Sequence, residues 1–232
     1  MAVGHKTWTV LSHQPIEVLT PNVWRVEGRL NASNTRVMTL IRLRDGRILI
    51  HNAVALDEPS MARIDGWGEV STILVPNRFH RMDAHIMRTR YPRAKVFAPS
   101  GALAPAAKAT AIDGAYSDVP TDDTVYVRDL DGIGKREGVV VARSPDGATA
   151  VFCDTLLNLP QLKGLMGMML HPTGTLSVPR PTSLLFAKDR GALRADLERI
   201  ASEEGLVRVI PGHGAVVSTD ASGRLREAAG RL

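Results

Sequence analysis

Val207-Arg208-Val209-Ile210-Pro211-Gly212-His213-Gly214 is a branched, strand-forming run that stops on proline and glycine and sets one imidazole just past the stop. A histidine held on a Pro-Gly turn can aim a ring nitrogen at a metal while the strand behind it stays buried. Three other positions repeat the pattern. His51 follows Ile48-Leu49-Ile50, His80 follows the strand ending at Val75 after a Pro76-Asn77 break, and Asp154 follows Val151-Phe152-Cys153. Side chains just beyond apolar strands face accessible space yet stand on rigid supports, as metal ligation or acid-base chemistry requires. Imidazole and carboxylate together suit zinc, iron or manganese better than calcium.

Outward from these positions, the chain alternates strands and helices. Val23 to Glu27, Arg36 to Leu43 and Arg47 to His51 read as strands, with Asp45-Gly46 turning the last two into a hairpin. Asp57-Glu58-Pro59-Ser60 opens a helix that runs to Asp65 and stops at Gly66, and Val70 to Val75 is an apolar strand. From Pro76 the spacing of Phe79, Met82, Ile86 and Met87 predicts a helix ending at Tyr91-Pro92, followed by a strand over Lys95 to Ala98. Strands return over 124–127, 138–141 and 149–152, with Pro145-Asp146-Gly147 as a turn. The segment 156–181 is Met-rich and broken by glycine and proline, suiting a mobile cover or the contact of a homo-oligomer. Leu193, Leu197 and Ile200 share one face of a helix over 190–204, and the strand leading to His213 and a short helix close the chain. That order predicts an α/β (α+β) protein with two packed sheets and helices outside.

The 232 residues, 44% of them hydrophobic, suffice for a real core. No linker, low-complexity tract or repeat divides them, so a single domain over 1–232 is expected. One cysteine, Cys153, excludes an internal disulfide, and the N-terminus lacks the apolar core of a signal peptide. The expectation is a cytoplasmic protein without a membrane span. A net charge of +5 invites a nucleic-acid partner, but the arginines are interleaved with acids and only 4% of residues are aromatic. A small-molecule substrate or ligand is the expected partner.

His80 and Asp83 stand three apart and would share a face of the helix predicted from Arg78, which makes Asp83 an additional candidate metal ligand; His85 points elsewhere. His171 falls in the Met-rich segment, and His5 and His13 near the terminus are read as incidental. Cys153, on a buried strand, reads as a core thiol. No Gly-x-Ser-x-Gly elbow, Walker loop or dinucleotide fingerprint occurs, which sets serine-hydrolase and nucleotide readings aside.

The order of Leu49-Ile50-His51-Asn52, Val75-Pro76-Asn77 with His80, Tyr91-Pro92-x-Ala94, Val151-Phe152-Cys153-Asp154 and Ile210-Pro211-Gly212-His213-Gly214 resembles the metallo-β-lactamase superfamily, most closely its DUF4336 branch. The resemblance spans nearly the whole chain and implies a four-layered αβ/βα sandwich with its site on one edge. By that resemblance Asp154 matches the bridging aspartate and His213 the last histidine, and His51 stands where an early strand-end aspartate usually sits. The His-x-His-x-Asp-His box should follow Val75, where this chain has Asn77-Arg78-Phe79-His80-Arg81-Met82-Asp83, and no histidine occurs from Ile86 to Leu170. The resemblance with these departures implies at most one ion, zinc or else iron or manganese, on His80, Asp154 and His213. His51 is then a fourth ligand or general base, and Asn52 or Asn77 an oxyanion donor. The implied activity is hydrolysis of an ester, lactone, amide or phosphoester. The alternative is a metal-free binding or scaffold protein that keeps the fold without the chemistry.

Overall fold

A computed structural model of the chain describes residues 4–30 and 34–232. The first sheet has seven strands, in chain order from edge to edge: β1 (Glu17–Thr20), β2 (Val23–Arg29), β3 (Thr35–Arg42), β4 (Arg47–His51), β5 (Glu69–Leu74), β6 (Lys95–Ala98) and β7 (Gly114–Ala115). Pairings up to β3 with β4 are antiparallel, and those from β4 with β5 onward are parallel. The second sheet contains β8 (Val125–Asp129), β9 (Gly138–Ser144), β10 (Gly147–Val151) and, after the short β11 (Leu157–Asn158), β12 (Leu206–Ile210), in the order β12-β10-β9-β8. A two-residue β13 (His213–Gly214) pairs in parallel with β11.

Each sheet is covered on both faces, which explains why successive residues of its central strands are buried instead of alternating with exposed ones. In β9, Val139 and Val141 point to one layer while Val140 and Ala142 point to the other. The two sheets meet through Val37, Ile41, Leu49 and Leu74 on one side and Val140, Val151 and Ile210 on the other. Outside the first sheet pack α1 (Glu58–Asp65), α2 (Ala84–Arg90) and α3 (Leu103–Ala107), and outside the second, beyond the short α4 (Gly164–Met169), pack α5 (Arg190–Ala201) and α6 (Ala221–Gly230). The result is the four-layered αβ/βα sandwich. Among the described residues no helix is long and apolar enough to cross a membrane.

Local signals account for most boundaries. The Asp57 side chain accepts the Ser60 N–H at 3.0 Å, proline occupies the first turn of α1, and Gly66 ends it. The helix expected from Arg78 is corrected by the structure: α2 starts only at Ala84. Its first turns are displaced because Asn77 Oδ1 accepts the N–H groups of Phe79 (2.8 Å) and His80 (3.0 Å), a side-chain turn that competes with helical bonding. Phe79 consequently lies half exposed, away from the α2 face that Ile86 and Met87 bury.

Candidate metal centre

The parallel pairs β4·β5 and β10·β12 place His51 beside Leu74 and Val151 beside Ile210, so the carboxyl ends of these four strands open on one edge of the sandwich. The residues just past the strand ends converge on that edge. Gly212 makes the last approach possible, because a Cβ on it would lie 2.8 Å from the Cys153 backbone. Its N–H bonds the Cys153 carbonyl at 3.2 Å, which brings His213 against Asp154.

His80 Nε2 lies 3.0 Å from Asp154 Oδ1, His213 Nε2 lies 3.2 Å from the same oxygen, and the two Nε2 atoms are 3.2 Å apart. The other nitrogen of each ring is already committed. His80 Nδ1 donates to Asn52 Oδ1 at 3.0 Å, and His213 Nδ1 donates to the Thr35 carbonyl. In the neutral tautomer those bonds select, each Nε2 carries a lone pair. Two lone pairs and a carboxylate oxygen then face one another, an arrangement that a cation at its centre, or a proton on one Nε2, would satisfy. A tetrahedral zinc with bonds of about 2.0–2.1 Å separates its ligand atoms by about 3.3 Å, close to the observed triangle. The donor set and its spacing fit a metal ion.

The supporting groups fix this triangle from behind. Asn52 adopts φ 60, a left-handed conformation asparagine tolerates; its amide donates to the Val37 carbonyl at 2.7 Å while its oxygen orients His80. Asn77 donates to Asp154 Oδ2 at 2.8 Å and to Glu137 Oε2 at 3.2 Å. The resemblance makes Asn52 or Asn77 a candidate oxyanion donor; in the structure their amide groups meet protein acceptors, and their contacts orient His80 and Asp154. Burial would raise the Asp154 carboxyl, but His80 and His213 hold it well below the usual carboxylate range. Burial would lower His213, yet its bond to Asp154 carries it upward.

Of the other expected positions, His51 lies in the core side of the site, 1% exposed, with an Nε2 that has no hydrogen-bond partner among the described residues. Burial, then the neighbouring His80, depress its pKa to about 3, so the ring is neutral. Asp83 is not on a helix face with His80. Its carboxylate pairs with Arg36, accepts the Ala55 N–H at 2.9 Å and meets His5 Nδ1 at 2.7 Å, which fastens the N-terminal segment and α2 to β3. His85 is exposed on α2, and His171 is exposed as well.

Two participants do not stand out from the sequence as site residues. Glu137, immediately before β9, is buried; its carboxylate accepts the N–H groups of Cys153 (3.0 Å) and Thr155 (2.9 Å) on either side of Asp154, besides Asn77. Burial and then the Asp154 charge push its pKa up to about 7. A charged residue abutting the apolar run Val139-Val140-Val141 is the available signal. Cys153 is buried, as its strand position suggests, but its Sγ lies within 4.8 Å of ligand atoms of both His80 and Asp154. Burial, then Asp154 and Glu137, push its thiol well up.

Asp154 and His213 open into a cavity of about 640 Å³, walled largely by Leu157, Leu162, Met166, Met169, Leu170 and Phe186. The inward side chains of α4 form one wall, and Thr182 Oγ1 ties the opposite π-helical turn to the Asp154 carbonyl at 3.1 Å.

No family model matches the chain, and no curated protein sequence matches it. Solved structures do. The crystal structure of metallo-β-lactamase DIM-1 exposed to ceftazidime matches with a TM-score of 0.63 at 15% identity over 96% of this chain and 99% of its own. FIM-1 from Pseudomonas aeruginosa, in its mono-zinc form, matches with a TM-score of 0.61 at 12% identity over 94% and 96%. A metallo-β-lactamase from Pontibacter korlensis matches at 0.62 and 11% over 95% and 100%. The chain has the metallo-β-lactamase fold. At such identities the likeness is one of architecture and does not by itself carry a chemistry.

Proposed function

We propose that the protein is a single-metal hydrolase, binding zinc through His80, Asp154 and His213 and cleaving an ester, lactone, amide or phosphoester. The observation that carries this reading is the pair of imidazoles whose Nδ1 atoms are committed, leaving both Nε2 atoms and Asp154 Oδ1 within 3.0–3.2 Å of one another. Two imidazoles and a carboxylate suit zinc, iron or manganese, and an ion held by three protein ligands would leave room for substrate. A solved neighbour described in a mono-zinc form supports one-ion occupancy of such a fold. The bound ion would supply Lewis-acid polarisation and water activation. The chain's own residues do the rest: Asn52 and the Thr35 carbonyl set the imidazole tautomers, Glu137 and Asn77 hold Asp154 in place, and the cavity sets a largely apolar wall beside the ligands.

The strand-end motifs and their order support placement near the DUF4336 branch, and the lone Cys153 supports a reducing compartment such as the cytoplasm. The test is a panel of activated esters, lactones, amides and phosphoesters, assayed with protein as purified, after chelation and after return of zinc. Turnover of at least one class should vanish on chelation and return with zinc. Turnover that survives chelation contradicts the proposal, and the absence of both bound metal and turnover of any class favours the metal-free binding-protein alternative.

A further inference from the structure

The cavity beside the metal centre is unusual in its lining rather than its size. At about 640 Å³ it falls in the range of small-molecule sites. Met166 and Met169 of α4 and Leu170 at its C-cap stand at i, i+3 and i+4 spacing, and all three line the cavity. Leu162 and Phe186 line it as well, and Phe79, 48% exposed, reaches its edge 5.9 Å from the Phe186 ring. Unbranched methionines make a wall that adapts to a flexible occupant. Arg78 and Arg136 line the same cavity, and neither has an ion-pair partner among the described residues; the Arg78 guanidinium sits 4.8 Å from the Phe79 ring centroid. An apolar space with cations at its wall and a metal triangle at one end suits a chain that is apolar along its length and anionic at a point.

We infer that the cavity binds an amphiphile: a medium-length apolar chain lies along Leu162, Met166, Met169 and Phe186, with an anionic group drawn by Arg78 and Arg136 and, when the ligand is a substrate, its scissile bond toward His80, Asp154 and His213. The inference rests on the hydrolase reading for the last clause only. The outer side chains of α4 are apolar too, Leu165 at 76% and Met168 at 59% exposure, but they face away from the cavity and do not fill it.

The probes are straight-chain carboxylates from acetate to decanoate, titrated calorimetrically into the full chain as purified. Acetate reports what the carboxylate alone contributes. Each buried methylene can tighten binding by up to about fourfold, so decanoate should bind at least about tenfold more tightly than hexanoate. Met169→Asp, at a half-exposed position that tolerates charge, should abolish the chain-length dependence with an unchanged near-ultraviolet circular dichroism spectrum. Arg78→Gln with Arg136→Gln should weaken octanoate and leave octanol unchanged. Affinity independent of chain length, or decanoate binding untouched by Met169→Asp, overturns the inference. So does a dimer that Met169→Asp dissociates and in which no carboxylate binds, since a second copy then fills the space. Decanoate binding without any hydrolysis would overturn the hydrolase reading and leave this one standing; zinc-dependent hydrolysis that is blind to acyl length would do the reverse.

Discussion

His51 gives the sharpest quantitative prediction because its ring is buried, neutral and lacks a partner for Nε2 among the described residues. Its pKa is depressed to about 3 in the folded protein, by burial first and the neighbouring His80 second, against an ordinary value of 6.5. Between these values the unfolded chain binds a proton that the folded chain refuses, so stability increases with pH across that window. Full stability from this group is present above about pH 6.5 and is lost progressively down to about pH 3, at about 1.4 kcal/mol per pH unit. Between pH 7.5 and pH 5.0 the loss amounts to about 2 kcal/mol. His51→Gln fills a similar volume and has no proton to gain, so its unfolding free energy should fall over that interval by about 2 kcal/mol less than that of the wild type. Urea unfolding at both pH values, with chelator present so that metal does not enter the balance, measures the difference. Pairs of curves whose pH dependence agrees within about 0.5 kcal/mol would refute the assignment of His51 as a buried neutral ring.

Other perturbations test the frame around the site. Gly212→Ala places a methyl 2.8 Å from the Cys153 backbone; chemical denaturation should show a loss of about 1–3 kcal/mol, with weaker zinc binding because His213 shifts with the turn. Glu137→Ala leaves the Cys153 and Thr155 N–H groups without their acceptor and should lower zinc affinity about 10–100-fold, whereas Glu137→Gln, which keeps one acceptor oxygen, should lie between it and wild type in competition with a chromogenic chelator. Cys153 is buried with its thiol pushed upward, so a thiol-directed disulfide reagent should label it only in denaturant; rapid labelling of the folded protein would contradict that burial.

The sandwich is legible in the sequence because both sheets are covered on both faces, so β3, β5, β9 and β10 read as mostly apolar, non-alternating runs with turn signals between them. Strand ends are legible for the same reason, and with them His80, Asp154 and His213. Residues 76–83 mimic a helix because Met82, Ile86 and Met87 keep a helical spacing, while the competing bonds from Asn77 Oδ1 to the backbone have no periodicity of their own. That mimicry draws Asp83 toward the site, when its partner Arg36 lies 47 residues earlier in the chain. Glu137 escapes a sequence reading because its importance comes from backbone N–H groups 16 and 18 residues away, contacts that only the packing of β9 beside β10 creates. The cavity, likewise, is built by segments far apart in sequence, and the Met-rich stretch signals adaptability without saying what it covers.

Whether three side chains hold one ion is measured most directly by metal content. Protein expressed with zinc supplement and freed of loose metal should carry about one zinc per chain by elemental analysis. His80→Ala, His213→Ala and Asp154→Asn should each lose it, while Asp83→Asn, whose native carboxylate serves Arg36, Ala55 and His5, should retain it in the folded fraction. No bound metal in the wild type, or full zinc content in His80→Ala and His213→Ala, would contradict the single-ion site.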